Sequence, residues 1–164
     1  MINNNACPSI SHSSRQGFSL IELLIVIALF VLLTSGAVLN YRAFNQRQQV
    51  LQSAKNVQEA LRFAQKKARV GEKPTGCVTL NGYKVSGTTA STQVILTADC
   101  TNQDYQVTSL SLVGNARLTV NLDKTFSVIT GGVVNPGTIA IRYGAYTYAF
   151  DVNVGGEITE GAYQ

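Results

Sequence analysis

The chain has 164 residues, enough for one modest domain with an additional element, and only 13% of them are charged. The net charge of +4 is unevenly spread, because residues 40–73 hold eight bases and two acids whereas residues 74–164 hold four bases and six acids. The only histidine is His12, so the rest of the chain has no Ser-His-Asp or Cys-His arrangement and no Cys/His zinc set, and there is no P-loop glycine pattern. We therefore expect no enzyme, no metal site and no cofactor.

A polar segment opens the chain, from Met1 to Gln16, and Gly17 stands directly before a long apolar run. In an ordinary secretory signal the cleavage site follows the apolar core, whereas here the small residue precedes it. Cleavage after Gly17 would leave the apolar run on the mature chain, and a glycine lets a protease approach the backbone closely. Residues 1–17 are predicted to be a cleaved leader.

The apolar run covers residues 18–39, and residues 23–33 carry no polar side chain. As a helix this run would be roughly 33 Å long at about 1.5 Å per residue, close to the roughly 30 Å of a bilayer's hydrocarbon core. We predict a transmembrane or filament-core helix over residues 18–39.

Glu22 interrupts this apolar run. A carboxylate deep in a bilayer costs about 2.5–3.5 kcal/mol on insertion scales and less near a helix end, so it favours a cationic partner. The nearest candidate is the α-amino group that cleavage would expose on Phe18, in the same chain or in a neighbouring copy. In a neighbouring copy, the pairing would make Glu22 an assembly device. The alternative is a plain single-pass anchor whose Glu22 reaches the membrane interface.

The order of these residues is distinctive: a polar leader with a base, Gly17, Phe18, Ser19-Leu20-Ile21, Glu22, and then Leu-Leu-Ile-Val-Ile-Ala. It closely resembles the class III signal of type IV prepilins and type II secretion pseudopilins. The resemblance implies that a prepilin peptidase cuts after Gly17 and methylates Phe18, and that Glu22 pairs with a neighbour's amine. It implies four partners: other pilin or pseudopilin subunits, the peptidase/methyltransferase, an inner-membrane assembly platform, and the lipid bilayer before assembly.

The cations that flank the apolar run favour the opposite orientation. Only Arg15 precedes the run, whereas Arg42 and Arg47 follow it closely, and the positive-inside rule alone would keep the carboxyl end in the cytoplasm. Long domains, however, translocate largely regardless of charge. Because the resemblance implies an exported carboxyl domain, we expect a single-pass membrane protein with its head outside the cytoplasm, in a cell-surface or periplasmic filament.

From Asn40 to about Val70 apolar residues recur at three- and four-residue steps, which predicts an amphipathic helix. Its expected buried face consists of Phe44, Leu51, Ala54, Val57, Leu61, Ala64 and Ala68, and its opposite face of Arg47, Lys55, Arg62, Lys66 and Arg69. Gly71 and Pro74 stop it. We predict one continuous helix from about Phe18 to Val70, with residues 40–73 as its amphipathic continuation.

After Pro74 the apolar period changes to two, which is typical of strands. About seven antiparallel strands are expected, around Val78/Leu80, Val94/Leu96, Leu110/Leu112, Leu118/Val120, Phe126/Val128, Ile139/Ile141 and Tyr146/Tyr148/Phe150. The predicted turns are Asn81-Gly82, Gly131-Gly132, Asn135-Pro136-Gly137 and Gly155-Gly156. Residues 74–164 are thus predicted to form a β-rich head with one face packed on the helix. The fold class is α+β, and the resemblance implies the pilin fold.

Three cysteines occur, and Cys7 would be lost with the leader. If residues 77–85 and 92–100 pair as a symmetric hairpin, Cys77 and Cys100 lie opposite each other and form a disulfide, as suits an exported protein. Two buried thiols are the alternative, as is a pair split across sheets should Asn81-Gly82 itself be the hairpin turn.

The layout is most similar to the GspH/FimT group of minor pilins and pseudopilins. Some pilus members of that group bind DNA through a Gly-Arg-x-Arg segment near the carboxyl end, but here Gly156 is followed by Glu157 and Glu160. The leading hypothesis is therefore a structural subunit. The alternative is a pilus-tip protein that captures DNA or a surface, through the Lys66-Lys67-x-Arg69 cluster or through exposed tyrosines, for which Tyr143, Tyr146 and Tyr148 are the candidates; DNA binding is the less favoured hypothesis.

Overall fold

The computed structural model describes residues 17–164, apart from the side chains of residues 35–40. The predicted leader, with Cys7, His12 and Arg15, lies outside the described residues. The chain divides after Asn40 into two compact units, Met1–Asn40 and Tyr41–Gln164.

A single helix, α1, covers Leu20–Val70 and has 51 residues, which confirms the predicted helix. Glu22 lies in its first turn and Lys67 and Arg69 in its last turn, so the charges at both ends complement the helix dipole. At the carboxyl end Gly71 has a φ of +67°, its N–H donates to the Ala68 carbonyl, and the N–H of Glu72 donates to the Lys67 carbonyl. These two bonds form a Schellman cap, and the left-handed residue it needs is the predicted stop residue Gly71.

The buried face of α1 in the second unit follows the predicted period. Ala54, Val57, Leu61, Ala64 and Ala68 are fully buried in the core formed with the strands, and Val50 is also buried, whereas the predicted core residue Leu51 is only half-buried. The prediction for Phe44 is wrong, because its side chain is 60% exposed. At about 100° per residue, Phe44 lies roughly a third of a turn away from the centre of the face that Val50, Val57 and Leu61 define, and it also precedes the buried stretch of the helix.

Eight strands follow, in two antiparallel sheets. In chain order they are β1 Leu80–Gly87, β2 Gln93–Cys100, β3 Tyr105–Ser111, β4 Arg117–Leu118, β5 Leu122–Ser127, β6 Gly137–Tyr143, β7 Tyr146–Val152 and β8 Ala162–Tyr163. One sheet has the order β3-β2-β1-β5 and the other β4-β6-β7-β8. The seven predicted strands all occur, and the short β8 was missed. The architecture is α+β, as expected, and is consistent with the pilin fold.

The predicted turn at Asn81-Gly82 is wrong, since both residues lie inside β1. The register of β1 with β2 shifts between Leu80 and Gly82, which marks a bulge. A Cβ on Gly82 would lie 2.4 Å from the Phe126 carbonyl oxygen of β5. The glycine is therefore needed for the close approach of a neighbouring strand rather than for a turn.

Cys77 and Cys100 form a disulfide, with their Cα atoms 5.7 Å apart, so the predicted bridge is confirmed and both alternatives are wrong. The expected hairpin is β1–β2, although Leu80 rather than Cys77 lies opposite Cys100. A turn in which the Cys77 N–H donates to the Pro74 carbonyl precedes β1. The bridge joins residues 23 positions apart, a loop whose closure contributes about 3 kcal/mol to stability in the chain-entropy account.

Candidate processing and assembly site

The predicted cleavage junction lies just before the helix. Residues 17–19 have no regular secondary structure, and α1 begins at Leu20. Gly17 is exposed, no atom lies within 4 Å of a Cβ built on it, and the Phe18 side chain is 85% exposed. A protease needs an accessible peptide bond outside regular secondary structure, and the bond between Gly17 and Phe18 satisfies this condition.

Glu22 follows Phe18 by four residues and lies in the first helical turn, where its side chain is exposed. The side-chain ion pairs of the described residues are Lys67–Glu72 and Lys84–Asp123, so the Glu22 carboxylate has no cationic partner within them. A carboxylate on an otherwise apolar surface is desolvated when that surface is covered, and it then needs a partner from the molecule that covers it.

An apolar surface surrounds Glu22 on α1. From Leu20 to Leu33 the large apolar side chains of the helix are all more than half exposed. They are Leu20, Ile21, Leu23, Leu24, Ile25, Val26, Ile27, Leu29, Phe30, Val31, Leu32 and Leu33. A contiguous exposed apolar surface of this kind marks a site of contact with protein or lipid. Within the part of the chain that the structure describes, no helix meets the length and apolarity of a membrane span.

One family model matches the chain. It is described as the prokaryotic N-terminal methylation motif, and it covers residues 12–38, which include Gly17, Phe18 and Glu22. This chain carries a type IV prepilin-like class III signal. Comparisons with curated proteins and with solved structures return no match. The match ends before the head, so it supports a prepilin-like subunit without distinguishing the GspH/FimT group from others.

The three tyrosines considered as ligand contacts in this prepilin-like chain are half-buried, and two of them have structural roles. The guanidinium of Arg47 lies 4.7 Å from the centroid of the Tyr146 ring, a cation–π contact. Tyr148 packs edge-on against Tyr163, with centroids 5.3 Å apart. Tyr143 instead borders an open cleft.

In the basic cluster Lys66-Lys67-x-Arg69 of α1, one cation has an acidic partner among the described residues and two do not. Lys67 donates to the Glu72 carboxylate at 2.6 Å and lies over the Phe63 ring, so its charge is already neutralised. Lys66 and Arg69 are exposed, and neither has an acidic partner in the described residues.

One acid of the carboxyl-terminal segment, Glu157, is held in place. The Glu157 carboxylate accepts from the Asn153 amide, and the Asn153 side-chain oxygen accepts from the Glu157 N–H. Gln65 of α1 donates to the carbonyls of Gly131 and Gly156 and so fastens this segment to the helix. Glu157 thus belongs to an ordered loop.

Three groups in the head have shifted pKa values. Burial raises the pKa of Tyr83, with the nearby Lys67 opposing the shift and Glu72 adding to it. Burial lowers the pKa of Lys124, against the opposing charge of Asp123. The pKa of Tyr163 is raised by burial and by Tyr148, against the charge of Arg47.

Asp99, in β2, and Asp104, just before β3, lie on either side of Cys100 along the chain. The Asp99 carboxylate accepts from the Asn81 amide at 3.1 Å. Among residues 17–164, no group of three or more His, Cys, Asp or Glu side chains could hold a metal ion.

The sequence prediction missed one charged pair in the head. Arg117 of β4 lies directly opposite Arg142 of β6. No local pattern connects these residues, which are 25 positions apart. The available signal was compositional, since they are the only arginines after Arg69.

Proposed function

We propose that the chain is a structural subunit, a minor pilin or pseudopilin, of a type IV pilus or a type II secretion pseudopilus. The observation that carries the proposal is the class III signal directly ahead of a helix whose apolar side chains are exposed in the single chain. Such a surface needs lipid or another subunit to cover it.

The proposed pathway has two environments for the same helix. Before assembly, residues 18–39 lie in the lipid bilayer. The peptidase hydrolyses the bond after Gly17, which releases the leader and leaves a free amine on Phe18. The amine then takes a methyl group from an electrophilic methyl donor and loses a proton, and the demethylated donor is released. At the assembly platform the helix passes from lipid to the filament core, where Glu22 pairs with the amine of a neighbouring subunit. The pairing gives the buried carboxylate a partner and fixes the axial register of the subunit.

The head is proposed to lie outside the cytoplasm. A disulfide between Cys77 and Cys100 persists in the periplasm or at the cell surface, whereas cytoplasmic thiols are kept reduced. A GspH/FimT-type minor subunit is the finer assignment that we favour from the layout of helix and strands.

Co-expression of the full chain with a prepilin peptidase tests the processing step. The intact mass of the membrane-extracted protein should correspond to loss of residues 1–17 and gain of one methyl group. Gly17→Val should keep the leader, because a β-branched side chain blocks the close approach of the protease. Asn5→Val makes a comparable change elsewhere in the leader and should be processed normally. A mature protein that begins at Met1 despite active peptidase would contradict the proposal.

A second candidate function, DNA capture at a pilus tip, draws on the exposed cations Arg62, Lys66 and Arg69 of α1. Binding through phosphate contacts alone is strongly salt-dependent. A gel shift with the mature chain in nonionic detergent would detect it, and no retardation of DNA at low salt would reject this candidate.

A further inference from the structure

The head places two positively charged side chains directly opposite each other on neighbouring strands of a sheet. Arg117 and Arg142 are directly opposite each other in the β4–β6 pair, so their side chains leave the same face. Their neighbours on each strand, Leu118 and Ile141, are buried in the core, which directs both arginines outward. Like charges in this arrangement repel and disfavour the pairing.

The acids of the head do not relieve this repulsion. Four cations follow Pro74, and two of them, Lys84 and Lys124, lie beside Asp123. In the described residues neither guanidinium forms an ion pair with a carboxylate. The Nε of Arg142 donates to the Gly144 carbonyl at 2.9 Å, which orients that guanidinium while leaving its terminal nitrogens free to donate further.

The two arginines line a cleft of about 520 Å³. Beside them its wall includes Thr89, Asn115, Thr119 and Tyr143. The volume falls within the range of small-molecule sites, about 300–1,000 Å³.

The wall of the cleft is held in place by backbone contacts. The loop that follows β1 is fastened to β4, because the Ala90 N–H donates to the Leu118 carbonyl and the Leu118 N–H donates to the Ser91 carbonyl. Ala90, which also lines the cleft, has a φ of +64°, an unfavourable conformation for a residue other than glycine. Strained residues of this kind occur preferentially where a ligand is held.

The polar groups of the cleft remain available to a ligand. The side-chain amide of Asn115 is exposed and makes no hydrogen bond within residues 17–164. The hydroxyls of Thr89 and Thr119 donate to Asn121 and to the Ala140 carbonyl, so their oxygens can still accept. The half-buried ring of Tyr143 supplies an apolar flank.

We propose that this cleft binds one carboxylate group carried on a small hydroxylated molecule, that is, an acidic sugar residue. Planar guanidinium groups recognise carboxylates through paired hydrogen bonds, and bound carboxylate relieves the repulsion of the arginine pair. The amide, the hydroxyl oxygens and the tyrosine ring suit the hydroxyl groups and the apolar face of a sugar. A polyanion such as DNA needs a row of cations along its backbone, whereas this cleft offers two. The proposal goes beyond filament assembly and does not depend on it.

The test is a titration of the ¹⁵N-labelled mature chain in nonionic detergent micelles, followed by NMR. D-Glucuronate is the probe, and D-glucose, inorganic phosphate and a short DNA duplex are the comparisons. Glucuronate should bind at least about tenfold more tightly than glucose, because only the acid engages the arginines. The affected amides should include those of the cleft residues Ala90, Leu118 and Gly144.

Arg117→Gln, Arg142→Gln and the double variant should each weaken glucuronate binding by about tenfold or more. Arg62→Gln removes the same charge from an exposed position on α1 and should leave binding unchanged. Thermal unfolding without ligand checks that the variants fold, and the melting temperature of Arg117→Gln should equal or exceed that of the parent because the repulsion is gone.

Binding of glucuronate no tighter than that of glucose, or binding retained in the double variant, overturns the proposal. Phosphate that binds as tightly as glucuronate also overturns it, since the cleft would then recognise charge alone. Arginine-dependent DNA binding that exceeds sugar binding overturns it in favour of a nucleic-acid contact.

Discussion

At the scale of single residues, Ile129 has a strained backbone conformation. It has a φ of +72°, and the Thr130 N–H donates to the Val128 carbonyl across it, so it is the centre of a γ-turn of the rare, strained kind. Its side chain is 82% exposed and contributes little packing. The turn is held by the Ile129 N–H, which donates to the Ala68 carbonyl near the end of α1.

Replacing Ile129 with Asn should stabilise the protein by about 1 kcal/mol, because Asn tolerates positive φ far better than a β-branched residue. Val134→Asn is the matched control, since Val134 is 63% exposed and does not have a positive φ. The control should change stability by less than about 0.5 kcal/mol. Urea unfolding of both variants measures the difference, and a loss of stability in Ile129→Asn would show that the side chain contributes more than the strain costs.

A second residue-scale prediction concerns pH. The buried hydroxyl of Tyr83 donates to the Glu72 carbonyl at 2.6 Å, and burial raises its pKa above 10.0. The folded state therefore holds the Tyr83 proton more tightly than the unfolded state, so this contribution to stability is complete below pH 10.0 and is lost as the pH rises through the folded pKa.

Tyr83→Phe should lower the free energy of unfolding by about 1 kcal/mol at pH 8, because its hydrogen bond is lost. This gap in unfolding free energy between parent and variant should narrow above pH 10. The lowered pKa of Lys124 changes stability with the opposite sign, but it acts on parent and variant alike and cancels in the difference. Unfolding at several pH values measures the gap. Tyr41→Phe, at an exposed helix position, should show no effect, and a gap that widens with pH would refute the account.

At the scale of elements, the missing side chain of Gly82 decides how closely β1 and β5 pair. Gly82→Ala would place a methyl carbon 2.4 Å from the backbone oxygen of Phe126, and backbone cannot move aside as a flexible side chain can. We expect the free energy of unfolding to fall by about 2–3 kcal/mol, comparable with the effect of overpacking in a core.

Gly155→Ala is the control for this prediction, because its added Cβ would meet only the Asn153 side chain, at 3.4 Å. Its cost should stay below about 1 kcal/mol. The midpoint of thermal unfolding compares the two variants. Equal midpoints would mean that the two strands can separate without loss of stability.

At the scale of the whole molecule, local patterns in the sequence predicted much of the structure. Consecutive residues form the signal around Gly17 and Glu22, and a fixed helical period selects Val57 and Leu61 for the core, so neither depends on the rest of the fold. The β1–β2 hairpin and its disulfide also followed from the sequence, because both strands are neighbours along the chain.

The remaining features depend on strand register over long separations. The choice of neighbouring strands determines three features: the division into two sheets, the two-residue strand β8 and the pairing of Arg117 with Arg142. The alternation of apolar residues does not specify which strands are neighbours. Asn81-Gly82 was mistaken for a turn because the sequence does not distinguish a glycine needed for a turn conformation from one needed for the close approach of a neighbouring strand. Gly82 has no positive φ, and the Phe126 carbonyl oxygen of β5 lies against it.

The last prediction concerns assembly of the whole chain. Glu22→Gln keeps the size of the side chain and removes its charge, so the proposed pairing with the Phe18 amine of a neighbour would be lost. Cleavage after Gly17 should continue normally, while the share of the subunit recovered in sheared filaments, relative to the membrane pool, should fall about tenfold or more. Immunoblots of both fractions measure that ratio.

Glu59→Gln removes an exposed acid from the second unit and should assemble normally, and Glu22→Asp should recover part of the loss. Normal incorporation of Glu22→Gln would show that contacts between apolar side chains set the register, and that the carboxylate is dispensable.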